Sequence, residues 1–436
     1  MKPVKIGFLG FGTVGQGAAV VLARNANEIS RRAGRQIIVK SAVVRDINRT
    51  REAGLEEVKL STDPLDVVND PEIDVVVEVM GGDEPSRTLL LQAIANGKHV
   101  VTANKALIAR FGNELFEAAR ERSVSVAFEA AVAGGIPVIK SIREGLAGNK
   151  IHWLAGIING TSNYILSEMR DKGRDFSDVL QEAQELGYAE ADPTFDVEGV
   201  DAAHKLTILA SIAFGVPLNF DAVYIEGISG ISREDTAYAE ELGYRIKHLG
   251  IARDTGGGIE LRVHPTLIPE RRLIANVDGV MNAILVQADA VGPTLYYGAG
   301  AGAEPTGSSI VADIMDAARG ASAAVDNRVP HLAFQHDALS EIRVASPGEF
   351  ETSFYLRIQV DDKPGVMADI SRILAEEDIS IEAIIQKEPA AQSTTVPIIL
   401  LTRKIVEGAM DAAISKIEAL SSVEGEVKRI RVESLG

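Results

Sequence analysis

The feature that most constrains this chain stands near its start. The apolar run Val4–Leu9 is followed at once by Gly10-Phe11-Gly12-Thr13-Val14-Gly15, and then by a helical pattern through Ala18, Val21 and Leu22. Strand, glycine turn and helix in that order make a dinucleotide-binding βα unit. Gly10 permits the tight turn, Gly12 lets a diphosphate approach the backbone, and Gly15 lets helix and strand pack closely. The first N–H groups of the helix and its positive dipole end then face the phosphates.

The alternation continues. Residues 37–44 form a second strand ending in Arg45-Asp46, where this fold meets the adenosine ribose. Arg45 suits a 2′-phosphate and hence NADP; Asp46 suits a free 2′-hydroxyl and hence NAD. The reading leans to NADP through Arg45. Strand 74–80, helix 85–95 and strand 98–101 follow, the last delivering Thr102-Ala103-Asn104-Lys105 at its carboxyl end, where ligands bind in doubly wound sheets. Helix 113–121 and strand 124–128 complete a Rossmann-type domain, taken as residues 1–138 plus about 304–330.

Past residue 140 the pattern changes to strands at 151–158, 244–252, 259–268, 280–288 and 294–298, between helices. This reads as an α+β catalytic and oligomerisation domain with a mostly antiparallel sheet, residues 139–303. Residues 331–350 read as a linker. From 351 to 436 the order is strand, helix, strand, strand, helix, strand, a ferredoxin-like βαββαβ module.

Two segments carry chemistry outside the glycine motif. The stretch from Gly187 to Lys205 gathers Glu190, Asp192, Asp196, Glu198, Asp201, His204 and Lys205. Asp201 and Lys205 share one helix face at i,i+4 spacing. Taken alone, that is a solvated loop ending in a surface ion pair. The run from Glu129 to Pro137 (EAAVAGGIP) sets one carboxylate beside a small-residue loop with available carbonyls. It suits a hard cation that prefers oxygen ligands, or is a tight turn.

Composition narrows the partners. A net charge of −18 over 436 residues argues against a general nucleic-acid or anionic-membrane binder. With no cysteine, disulfides, thiolate metal sites and cysteine nucleophiles are excluded. No apolar run reaches membrane-spanning length and no secretory leader stands out, so a soluble, cytoplasmic protein is expected.

The glycine motif, the TANK sequence at 102–105, EAAVAGGIP, the run GIINGTSNYIL at 156–166 and GYAEADPTFDVEGVDAAHK at 187–205, in that order, closely resemble homoserine dehydrogenase. The last hundred residues, with the turn DDKPGV, resemble a regulatory ACT domain. The resemblance implies reversible reduction of L-aspartate 4-semialdehyde to L-homoserine with NAD(P)H, in threonine, methionine and isoleucine biosynthesis. It puts Lys205 as acid/base at the substrate oxygen and Lys105 beside substrate and nicotinamide. Glu190 and Asp201 would hold the substrate, with Asp196 near them. Gly187, Glu190 and Gly302 would lie against the cofactor. A sodium ion would be held by Glu129 and the carbonyls of Val132, Gly134 and Ile136. The tail implies a homo-oligomer, dimer or tetramer, and feedback by an amino acid, threonine being expected. Deleting residues beyond about Ser340 is expected to abolish that inhibition and leave basal activity. An amine-forming amino-acid dehydrogenase and a non-catalytic amino-acid sensor are the competing readings.

Overall fold

The strand Val4–Leu9 is buried over almost its whole length, as a strand covered on both faces must be. It is central in a six-stranded parallel sheet. The order is Lys59–Ser61, Ile37–Val43, Val4–Leu9, Val75–Glu78, His99–Thr102 and Val126–Ala127. In chain order this is 3-2-1-4-5-6, the Rossmann arrangement, with its switch point between Val4–Leu9 and Val75–Glu78. A computed structural model describes residues 2–49, 58–320, 329–387 and 395–436. Residues 321–328, part of the segment 304–330 assigned above to the first domain, lie outside the described residues.

The chain forms two compact units. The first holds Met1–Gly160, Asp201–Val223 and Val280–Ile342. The second holds Thr161–Val200, Tyr224–Gly279 and Arg343–Gly436. These boundaries run through the stretch 139–303.

In the first unit, helix Thr13–Arg24 packs on helix Ala303–Gly320, drawn together by glycines. A Cβ on Gly17 would lie 2.3 Å from the Ala303 carbonyl, and one on Gly307 would lie 2.7 Å from the Ala18 nitrogen. The unit also contains an antiparallel three-stranded ribbon: Gly292–Ala299, Met281–Ala288 and Ile151–Ile157. Helix Val200–Phe214 is buried at every position from Asp201 to Ala213. Its apolar residues occupy all sides, the mark of a central helix rather than a surface one.

Several boundaries differ from the sequence reading. Helix Lys105–Glu121 begins eight positions before the expected start at 113, because Asn104 caps it by accepting from the Leu107 N–H. Lys105 is therefore the first helical residue. The strand expected at 124–128 contracts to Val126–Ala127, and a 3₁₀ turn takes over at Glu129–Ala131.

In the second unit, Tyr244–Asp254 and Ile259–Pro269 form a long antiparallel hairpin. The C-terminal module appears as read: Glu351–Asp361, Val366–Glu376, Ile381–Gln386, Thr395–Thr402, Glu407–Glu418 and Lys428–Val432. Its strand order is 4-1-3-2. One sheet face covers its own two helices through Phe354, Leu356, Ile358, Ile370, Leu374 and Met410. The opposite face, with Tyr355, Ile399, Leu401 and Ile430, shares a core with Tyr164, Met169, Val179, Ile228, Tyr238 and Leu267. The last strand also pairs in parallel with Ile259–Pro269, matching Thr266 with Arg431 and Leu267 with Val432.

Candidate active site

The phosphate-binding turn is built as its composition demands. Gly10 has φ +91°, and a Cβ there would sit 2.9 Å from the Val79 carbonyl oxygen. Nothing lies within 4 Å of a Cβ on Gly12, so the backbone is open there, whereas one on Gly15 would meet the Gly10 carbonyl at 2.8 Å. Gly12 precedes helix Thr13–Arg24 and supplies no side-chain cap. The first helical N–H groups therefore remain for an anion. Phe11 is buried and packs against Phe8, so it offers backbone only, while Gly12 and Thr13 are exposed and Val14 is half-buried. These features fit a dinucleotide diphosphate. Gly302, at φ +118°, immediately precedes the helix that crosses this one, and its carbonyl accepts from the Thr306 N–H. Arg45 and Asp46 are exposed at the end of the second strand, and the Asp46 carboxylate accepts from the Asn48 N–H.

Gly10→Ala is expected to weaken dinucleotide binding at least about tenfold, because a side chain at positive φ strains the turn and crowds the Val79 carbonyl. Fluorescence titration with the reduced cofactor measures it; unchanged affinity would contradict the assignment of the turn.

At the carboxyl edge of the same sheet, two lysines meet one carboxylate. Lys205 Nζ donates to Asp201 Oδ2 at 2.7 Å and to the Ile158 carbonyl at 2.6 Å. Lys105 Nζ lies 3.1 Å from Asp201 Oδ1. Asn159 Nδ2 donates to Asp201 Oδ2 at 2.8 Å. Asp201 is 3% exposed and Lys205 9%. The pair is thus not the solvated surface ion pair that the local spacing suggests. Burial pushes the Asp201 carboxyl up, but the Lys205 and Lys105 ammonium groups, with hydrogen bonds from Lys205 and Asn159, outweigh it and hold it well below the usual carboxylate range. His204 stacks on Phe220 at 4.3 Å, and burial lowers it to about 4, so it stays neutral near pH 7.

One carboxylate therefore positions two ammonium groups. Lys205 is almost enclosed, whereas about a third of the Lys105 side chain is exposed. Such a pair can stabilise charge developing on an oxygen and deliver a proton to it. Asn159 and the Ile158 carbonyl escaped the sequence reading. Their link to Asp201 and Lys205 spans more than forty positions, and only the asparagine ahead of helix Gly160–Lys172 hinted at it.

The remaining expected site residues fall in two places. In the first unit, Glu129 Oε1 and Oε2 accept from the Ile139 and Lys140 N–H groups, both at 2.9 Å. Burial raises the Glu129 carboxyl, opposed by those two bonds. Ala133 and Gly134 have φ of +53° and +45° and turn the loop tightly. The Gly134 carbonyl accepts from Ser309 Oγ, and the Ile136 carbonyl from the Val138 N–H. Together with the Val132 carbonyl, these groups would offer oxygen donors alone, the chemistry that a small hard cation takes. In the second unit, Gly187 at φ +75° ends helix Phe176–Glu185. The exposed Glu190 accepts at its backbone carbonyl from Gln184, and Asp196 sits half-buried in the short helix Thr194–Val197, its carbonyl accepting from Ser162 Oγ.

Comparison with known proteins accords with this geometry. Residues 10–129 match the homoserine dehydrogenase NAD-binding domain, residues 137–315 the homoserine dehydrogenase domain, and residues 354–419 the ACT domain. The chain is 62% identical over 435 residues to homoserine dehydrogenase of Pseudomonas aeruginosa and 57% identical to that of Neisseria gonorrhoeae, covering 100% of both chains each time. A crystal structure of a homoserine dehydrogenase from Thiobacillus denitrificans superposes with a TM-score of 0.96 at 63% identity, covering 100% of this chain and 99% of that one. That from Staphylococcus aureus gives 0.77 at 34% identity, covering 99% of each. Among the described residues no helix is long and apolar enough to cross a membrane. A Rossmann sheet with an open phosphate turn, a carboxylate bridging two lysines at its edge, and full-length likeness to these enzymes lead to one conclusion: the chain belongs to the homoserine dehydrogenase family, oxidoreductases acting on the CH–OH group of homoserine, and carries a C-terminal ACT domain.

Proposed function

We propose that the chain interconverts L-aspartate 4-semialdehyde and L-homoserine, with Lys205 exchanging the proton at the substrate oxygen. The observation that carries this reading is the Asp201 carboxylate held between Lys205 and Lys105. The bound nicotinamide supplies or takes the hydride. Lys205 gives the developing alkoxide its proton in one direction and removes it in the other. Lys105 adds positive charge at the same place. Glu190 pairs with the substrate ammonium, Asp201 orients Lys205 and meets the substrate, and Asp196 serves as a further substrate-binding residue. Gly10 to Gly15, Gly187, Glu190 and Gly302 line the dinucleotide, and Arg45 favours NADP by pairing with its 2′-phosphate.

In the same reading, Glu129 and the carbonyls of Val132, Gly134 and Ile136 hold a sodium ion, which offsets the buried Glu129 charge. The first domain comprises residues 1–138 with about 304–330, 139–303 carry catalysis and chain pairing, and 351–436 form the regulatory domain after a linker at 331–350. The protein acts in the cytoplasm as a dimer or tetramer, in threonine, methionine and isoleucine biosynthesis. Threonine is the effector of the ACT domain.

Initial rates with L-aspartate 4-semialdehyde, using NADPH and NADH with and without threonine, test this. Ammonia-independent formation of L-homoserine is expected, faster with NADPH and slowed by threonine. A requirement for ammonia would instead indicate an amine-forming dehydrogenase.

A further inference from the structure

Glu78 ends the strand at the switch point of the parallel sheet, and its side chain is completely buried. Burying a carboxylate is costly unless its lone pairs are occupied. Oε1 accepts from the Met80 N–H at 2.8 Å and the Gly81 N–H at 3.0 Å, and the Ser86 hydroxyl lies within reach of both Oε1, at 3.3 Å, and the Gly81 carbonyl, at 3.2 Å. Oε2 accepts from Thr102 Oγ1 at 2.6 Å. Because the Thr102 proton goes to Glu78, its oxygen is left to accept, and it takes the Asn104 N–H at 3.0 Å. The Asn104 side chain donates to the Gly82 carbonyl at 2.7 Å and accepts from the Leu107 N–H at 3.1 Å, capping the helix that begins at Lys105.

These bonds close a ring. Glu78 fixes the 80–82 turn and the Thr102 hydroxyl, and Asn104 is held by both. Lys105 is the next residue, and its Nζ reaches Asp201 from that anchored helix start. A buried apolar residue would hold two strands together without the cost of a carboxylate. The acceptors instead converge where the chain leaves the sheet toward Lys105. We propose that Glu78 is a positioning residue for Lys105, acting through Thr102 and Asn104. This rests on the reading of Lys105 as a residue at the reacting centre.

The test is a double-mutant cycle on kcat. Thr102→Val keeps the shape and removes the hydroxyl, whereas Thr102→Ser keeps the hydroxyl. Thr102→Val is expected to lower kcat about tenfold with little change in substrate KM, Thr102→Ser to stay near wild type, and Thr102→Val to add nothing in a Lys105→Ala background. Glu78→Gln, which keeps the shape and replaces one acceptor oxygen with a donor, is expected to give the same loss and carries the same cycle, also where Thr102→Val does not fold. Equal losses from the relay variant with Lys105 present and absent would show a merely structural role and overturn the proposal. A Lys105→Ala enzyme with unchanged kcat would instead overturn the assignment of Lys105 itself.

Discussion

A chain truncated after Ser340 is expected to be insoluble or grossly destabilised, rather than an active enzyme freed from regulation. The C-terminal domain is not a tethered tail. Truncation removes Tyr355, Ile399, Leu401 and Ile430 from a core they share with Tyr164, Met169, Ile228 and Leu267. Each large apolar side chain contributes roughly 1.5–3 kcal/mol on full burial. Four of them approach the ~5–15 kcal/mol that holds a typical domain folded. The charges compound the loss. Buried Asp235 would lose Tyr355 Oη at 3.1 Å and the Arg357 guanidinium at 2.7 Å. Arg262, with no exposed side-chain surface, would lose Glu433. Breaking a buried pair costs about 3–5 kcal/mol where the remaining charge is left uncompensated; Asp235 would be left with the Ser232 hydroxyl and N–H, whereas Arg262 would still meet Glu260 at 3.1 Å. The expectation from sequence, that basal activity survives this deletion, therefore gives way to loss of folding. The soluble fraction, followed by thermal unfolding of whatever is soluble, decides it; a soluble truncated chain with wild-type turnover would contradict the shared core.

The elements that could be read from sequence are those whose residues meet locally. The opening strand, turn and helix announce themselves because the glycines are required by backbone geometry at adjacent positions. The C-terminal helix Val366–Glu376 was legible from its apolar period alone. Strand Lys59–Ser61 was not, being short and partly exposed. Helix Arg233–Glu241 was also missed, since it is polar on most sides, although Ser232 and Asp235 form a capping box that could have marked its start. At the active site, the i,i+4 spacing of Asp201 and Lys205 was visible and their burial was not. Burial came from an apolar helix enclosed on all sides, which no local pattern reports. The joint between the C-terminal domain and the long hairpin was hidden for a related reason. Arg431 reads as a surface charge in KRIRV, yet it is buried and paired with Glu407 and Glu226.

Replacing Lys205 with alanine is expected to lower kcat by about 10²–10⁴, the range for a positioned acid or base, while the fold and cofactor affinity persist. The helix carrying it is held by buried residues along its whole length, and Lys105 still offsets the Asp201 charge. Lys205→Arg should not restore turnover, because a guanidinium neither fits the place of a compact ammonium nor gives up its proton. The most direct measurement is the deuterium isotope effect on kcat for Lys205→Ala, with cofactor deuterated at the transferred position. If Lys205 handles the proton as hydride moves, the slowed chemical step will limit turnover, and the isotope effect will exceed that of the wild type. Wild-type turnover with an unchanged isotope effect would contradict a role for Lys205 at the reacting oxygen.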